Sequence, residues 1–249
     1  MEITWTLGCQ DVPEIEFPAS AGAVPGYLAV PAFERGLATI VLQERAGLDD
    51  HIRSVCDRLA SEGFFALAPD LYRGQAAWRS ETGQKMMALS MDQAEQDMRG
   101  AAELLVSQPG VEGPGVGVVG FCLGGGLAVW AAATCPQIAA AVIYYYVMPH
   151  GKPDFTGIKC PVLGHFGTAD VFITLKDAKA LEVELRSAGV DVTFDKYTGA
   201  GHTFFNDTDP LGAYDAPAAL RSWERSVGFL RATLATPRPS HISDNLIRA

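Results

Sequence analysis

"VGVVGFCLGGGLA", residues 116–128, decides how this chain is read. Its first half is an unbroken apolar run of strand type, and its second half opens on three glycines and reads as a helix. Between them Cys122 stands in the pattern Gly120-x-Cys122-x-Gly124. A buried cysteine needs no such setting. A nucleophile does, because a side chain carried on a strained strand-to-helix turn requires small neighbours where strand and helix cross. The helix that starts there aims its positive end and free N–H groups at the thiol. That predicts a lowered thiol pKa and a place for an oxyanion.

Working outward, strand-like runs recur at "GYLAV" (26–30), "LATIVLQ" (37–43), "FFALAP" (64–69), "AAAVIYYY" (139–146), "CPVLGHF" (160–166) and "VTFDKY" (192–197). Several are almost wholly apolar, as parallel strands covered on both faces are. Helical periodicity lies between them. Ile52, Val55, Cys56, Leu59 and Ala60 form one stripe, with Asp49 or Asp50 able to cap its start and Gly63 suited to its end. Thr174 and Asp177 make a capping-box pattern before Leu175, Ala178, Leu181 and Leu185, and Gly189 stops that helix. Further helices are expected over about 91–107, after Cys122, and over about 214–233. Strands alternating with helices predict an α/β fold, a twisted, mostly parallel sheet with helices on both faces. The first strands lack an intervening helix, so an antiparallel edge is expected. One domain over 1–234 is the simplest reading, followed by an extended or mobile tail over 235–249 that carries two prolines and no periodicity.

The bulk properties exclude several classes. The 249 residues are 48% apolar, ample for a core, yet no apolar run approaches the length of a membrane span. The formal net charge of −10 disfavours nucleic acid and anionic membranes as partners. The start "MEITWTLGCQD" is acidic and lacks the basic-then-apolar pattern of a signal peptide. Cys9, Cys56, Cys122, Cys135 and Cys160 are odd in number, widely spaced and without a C-x-x-C, which argues against a disulfide framework or a zinc site. Reduced cysteines and a cytoplasmic location are expected. No metal or organic cofactor is expected either: no G-x-G-x-x-G follows the first strand, and "GFCLGGG" lacks the lysine of a phosphate loop. The expected partner is a small molecule, and the expected state a monomer or homodimer.

A cysteine nucleophile needs a base, and the base an orienting group. Of five histidines, His202 lies in "YTGAGHTFF", in a glycine-flanked loop past the last predicted strand, where α/β proteins place function. His51, at the start of a helix, reads as a solvated or capping residue, His150 as a loop histidine and His165 as a hydrogen-bonded core histidine; His241 falls in the tail. Asp170, closing "HFGTAD", follows a strand immediately and suits the orienting role or the N-cap of the helix near 174. The order Cys122, Asp170, His202 is that of the α/β-hydrolase fold, and Gly120-x-Cys122-x-Gly124 matches its nucleophile elbow with cysteine in place of serine.

These motifs, with "VLQERAGLDDHIRSVCDRLASEGFFALAPDLYRG", "VGFCLGGGLA", "GTAD" and "GAGHTFFND", resemble the dienelactone hydrolases (carboxymethylenebutenolidases) over about residues 24–233. The resemblance implies an α/β-hydrolase fold, a triad of Cys122, Asp170 and His202, and a glutamate, Glu44, that contacts the resting thiol and governs its ionisation. It also implies an oxyanion hole from the N–H groups of Leu123 and Arg45. The sequence departs from the family at two places. Arg45-Ala46 replaces Ile-Phe, so that a cation either sits at the pocket mouth or points to solvent. Asn206 replaces an arginine that binds a substrate carboxylate. A second family arginine lies after "PDLY", with Arg73 and Arg79 as candidates. Tyr144 and Tyr145 match a tyrosine pair near the pocket, although buried packing explains them equally, and Trp78 is a pocket wall or packing. The implied reaction is cleavage of a lactone or small ester through an acyl-cysteine. The alternatives are a lyase or cyclase on the same scaffold, or a ligand-binding protein with an inactive site.

Overall fold

The computed structural model describes residues 14–20, 22–74 and 81–235. Its eight strands are β1 (Glu14–Ala19), β2 (Gly22–Ala29), β3 (Leu37–Leu42), β4 (Phe64–Pro69), β5 (Val116–Phe121), β6 (Ile138–Tyr144), β7 (Val162–Gly167) and β8 (Val192–Tyr197). They form one sheet in the order β1-β2-β4-β3-β5-β6-β7-β8. From β4 to β8 every pairing is parallel, and β1 and β2 make the expected antiparallel edge. The helices are α1 (Asp50–Ser61), α2 (Thr82–Ala88), α3 (Met91–Ser107), α4 (Leu123–Thr134), α5 (Leu175–Ser187) and α6 (Ala216–Leu234).

The apolar strands are apolar because both faces are covered. Ala38, Ile40 and Leu42 of β3 join one core with α3, α4 and α5. Val41, between them, joins the other with α1 and α6. The punctuation is as read: Asp49 caps α1, its carboxylate accepting the Ile52 N–H at 3.1 Å, and Gly63 and Gly189 end α1 and α5 at positive φ. The Thr174–Asp177 capping box is formed in both directions. Two elements had no legible signal. In β1, "EIEFPA", only Phe17 is buried, and in α2 only Thr82 is. His51 is not solvated. It is buried on α1, its ring edge-on to Phe121 and Phe205. The apolar stripe of α1 turns inward, and His51 is adjacent to it. His165 is the core histidine expected. Ser226 Oγ donates to the Ser222 carbonyl, so it accepts from Tyr144 O–H and from His165 Nε2–H; Nδ1 then accepts from Tyr197 O–H at 2.9 Å. Burial holds this imidazole neutral, its pKa pushed down to about 3.

The elbow joins β5 to α4. Cys122 has φ +53°, the left-handed region that costs a non-glycine residue strain. Gly120 and Gly124 make that geometry possible. A Cβ on Gly120 would lie 1.8 Å from the Gly124 carbonyl oxygen, and one on Gly124 would lie 2.2 Å from the Leu42 carbonyl oxygen. Both neighbours are backbone, so neither can rotate away. Gly124→Ala is therefore expected to lower unfolding stability by upwards of ~3 kcal/mol, measured as a shift of the urea midpoint. A loss below ~1 kcal/mol would mean that α4 and β3 separate freely.

Candidate active site

Three turns at the carboxyl ends of the parallel strands β5, β7 and β8 bring the predicted triad together. Cys122 follows β5, Asp170 follows β7 and His202 follows β8. The last two loops are tied to one another: Thr168 N–H donates to the Tyr197 carbonyl and Ala169 N–H to the Ala200 carbonyl, both at 2.9 Å. His202 Nε2 lies 3.4 Å from Cys122 Sγ, and His202 Nδ1 lies 2.8 Å from Asp170 Oδ2. All three residues are buried. The other oxygen of Asp170 accepts the N–H groups of Phe172 at 2.8 Å and Ile173 at 2.9 Å. The cap of α5 is Thr174, so Asp170 shapes the loop before the helix and orients the imidazole at once.

The thiol is not lowered in pKa. Burial, then the nearby Glu44 carboxylate, push Cys122 up to about 12, with Asp170 adding to the rise. The Leu123 N–H at the start of α4 and the Arg45 charge oppose this without prevailing. A half-charge at a helix end cannot offset near-complete desolvation plus a full negative neighbour. The resting sulfur is thus a protonated thiol at neutral pH.

Glu44 follows β3 and is buried. Its two oxygens accept from different neutral donors, Oε1 from Tyr145 O–H at 2.9 Å and Oε2 from Asn206 Nδ2 at 3.0 Å. Asn206 turns its other amide atom, Oδ1, to the N–H and hydroxyl of Thr208. Its side chain is fully engaged in holding a carboxylate of the protein. Glu44 reaches the thiol through its charge, and no hydrogen bond joins them among the described residues. Tyr144 is a core residue. It stacks on Phe121 with centroids 4.7 Å apart and bonds Ser226 at 2.8 Å, away from the triad.

Arg45 is exposed, and its guanidinium has no hydrogen bond or ion pair among the described residues. Its backbone is held on both sides. Gly47 N–H donates to the Glu44 carbonyl at 3.2 Å, and Tyr72 O–H donates to the Arg45 carbonyl at 3.2 Å. Tyr72, buried beside the thiol, was present in "PDLY" and not singled out from it; its signal was the motif's place at the carboxyl end of β4. Arg73 is not available to a substrate. It donates to the buried Asp97 of α3 at 2.6 Å and to the Ala23 carbonyl at 2.7 Å. A buried carboxylate requires such a partner. His150 Nε2–H donates to the Met86 carbonyl at 2.7 Å, as a loop histidine. Trp78, Arg79, His241, Cys9 and the tail from 236 lie outside the described residues. Cys56, Cys122 and Cys135 are free thiols, and they and Cys160 are buried. Among the described residues no cluster of side chains could hold a metal ion, and no helix is long and apolar enough to cross a membrane.

This geometry has relatives. The family model described as "Dienelactone hydrolase family" matches residues 24–234. A protein of Aquifex aeolicus named "Putative carboxymethylenebutenolidase" is 31% identical over 228 residues, covering 88% of this chain and 98% of its own. A protein of the same name from Methylorubrum extorquens is 32% identical over 234 residues, covering 88% of this chain and 80% of its own. Among solved structures, that titled "m3DLH" superposes with a TM-score of 0.80 at 27% identity, covering 91% of this chain and all of the other. The chain belongs to the dienelactone hydrolase family of the α/β-hydrolase fold, and it is a hydrolase of esters or lactones.

Proposed function

We propose that the protein cleaves a lactone or small ester through an acyl-cysteine intermediate, with Cys122 as nucleophile, His202 as general base and acid, and Asp170 as its orienting carboxylate. The single observation that carries this reading is the relay Cys122 Sγ, His202 Nε2, His202 Nδ1, Asp170 Oδ2, with gaps of 3.4 and 2.8 Å. Because the resting thiol is protonated, attack is coupled to proton transfer. His202 Nε2 takes the thiol proton as sulfur bonds to the carbonyl carbon, and Asp170 stabilises the imidazolium. The Leu123 and Arg45 N–H groups are the donors for the oxyanion. The turn that commits the Glu44 carbonyl to Gly47 faces the Arg45 N–H the other way, which supports that role. The carbon–oxygen bond then breaks, and the leaving oxygen receives the proton from His202. Water attacks the thioester, giving its proton to His202, and the thiol is restored as the acid product leaves.

Glu44 sets the protonation of the resting site, and Tyr145 and Asn206 hold it there. It also bears on the substrate. A buried carboxylate met, among the described residues, by neutral donors keeps the pocket negative. Arg45, at the exposed rim, is screened by water and offsets little of that field. The reading is therefore a preference for neutral lactones and small esters over carboxylated ones.

Three measurements test this. Cys122→Ala should reduce ester turnover by about 1000-fold or more while leaving the Tm nearly unchanged, and retained turnover would exclude the nucleophile assignment. Alkylation of Cys122 by iodoacetamide should be slow at pH 7 and climb about tenfold per pH unit to beyond pH 10, because only the thiolate reacts. Glu44→Gln removes a charge that opposes thiolate formation, so it should speed alkylation at any fixed pH in that range; an unaltered profile would uncouple Glu44 from the thiol. Finally, kcat/KM on a carboxylated lactone should not exceed that on its methyl ester. A hundredfold preference for the free acid would overturn the neutral-substrate reading, and its loss in Arg45→Ala would identify Arg45 as the anchor.

A further inference from the structure

The His202 ring has two aromatic neighbours. Tyr145 lies at 4.9 Å between centroids, is fully buried, and has its hydroxyl committed to Glu44. Phe172 lies at 5.2 Å in an edge-to-face arrangement and is 61% exposed; its neighbour Val171 is 80% exposed. Two adjacent large apolar side chains in water, one of them against a buried imidazole, are out of keeping with a loop that only connects β7 to α5. Nor is that loop slack. Asp170 Oδ1 accepts both the Phe172 and Ile173 N–H groups, while its Oδ2 orients His202. One carboxylate therefore fixes the phenyl ring and the imidazole in a common frame.

We propose that Val171 and Phe172 form an apolar platform for the alcohol portion of the substrate, so that the enzyme selects esters and lactones whose alkoxy side is an alkyl or aryl group. This rests on the reading of His202 as the acid that protonates the leaving oxygen. That oxygen must lie within hydrogen-bond reach of His202 Nε2, and the carbon attached to it lies beside the imidazole. Of these two neighbours Tyr145 is buried and Phe172 is exposed, so Phe172 is the one that reaches water. Carbon extending from the oxygen passes over the phenyl ring and Val171, removing apolar surface of both partners from water. The carbonyl oxygen points toward the oxyanion donors, and the acyl group is a separate substituent of the carbonyl carbon from the leaving oxygen.

The test is a series of methyl, butyl and benzyl esters of one acid, whose leaving alcohols differ little in basicity and greatly in apolar area. In the wild-type protein kcat/KM should rise about tenfold or more from methyl to benzyl. Phe172→Ala should lower the benzyl-to-methyl ratio about tenfold, Phe172→Leu should restore most of it, and Val171→Ser should lower it severalfold. A series of methyl esters with lengthening acyl chains should show the same relative rates in wild type and Phe172→Ala. A benzyl-to-methyl ratio within twofold of wild type in both Phe172→Ala and Val171→Ser would overturn the platform, including the case where both esters slow equally because Phe172 only steadies His202. Failure of the catalytic reading would be recognised separately, as turnover retained in Cys122→Ala.

Discussion

The contact on which the site depends is that between the first turn of α4 and the carboxyl end of β3, made through a glycine that has no room for a Cβ. It holds the helix start against the strand that delivers Glu44 and Arg45. The elbow is held from the other side as well. Cys122 N–H donates to the Tyr144 carbonyl at 3.1 Å, and the Cys122 carbonyl accepts from Val147 N–H at 3.0 Å. The strained φ of Cys122 is sustained by this clamp between β3 and β6, not by any preference of cysteine for the left-handed region. With the sulfur fixed in this way, the Leu123 N–H and the Arg45 N–H come from two elements whose separation cannot drift.

Electrostatically the site holds an anion in reserve. Glu44 is buried and, among the described residues, has no cationic hydrogen-bond partner; a phenol and an amide support it. Such a carboxylate is costly unless its neighbours satisfy it, and Tyr145 and Asn206 do so with uncharged dipoles. Two neutral donors in place of an ion pair leave the charge uncancelled, so it acts on the thiol. Burial first, and this charge second, explain how an elbow cysteine at a helix start has a pKa above the ordinary value. In the mechanism we propose, the positive helix end serves charge that develops during reaction more than charge at rest.

Much of the architecture was legible in the sequence, for one physical reason. Strands buried on both faces must be continuously apolar, and helices covering them must carry a stripe, so β3 to β7 and α1, α3 and α5 declare themselves. The edge strand β1 and the short α2 bury almost nothing and left no pattern to read. The order of Cys122, Asp170 and His202 was equally visible, since loops after parallel strands meet at one end of the sheet whatever the details of packing.

What the sequence determined by itself was therefore the fold class, the family and the identity of the three residues that meet. Which way side chains face was decided only by tertiary structure. Asn206 looked like an arginine lost from a substrate site, and folding made it a support for Glu44. Arg73 looked like a candidate for the pocket, and the buried Asp97 on α3 claimed it. His51 looked solvated, and the packing of Phe121 and Phe205 enclosed it. The thiol's ionisation followed from how deeply the elbow is buried and how near Glu44 stands, and neither quantity has a local signature. Desolvation and through-space charge are properties of what surrounds a group, and its surroundings come from distant parts of the chain.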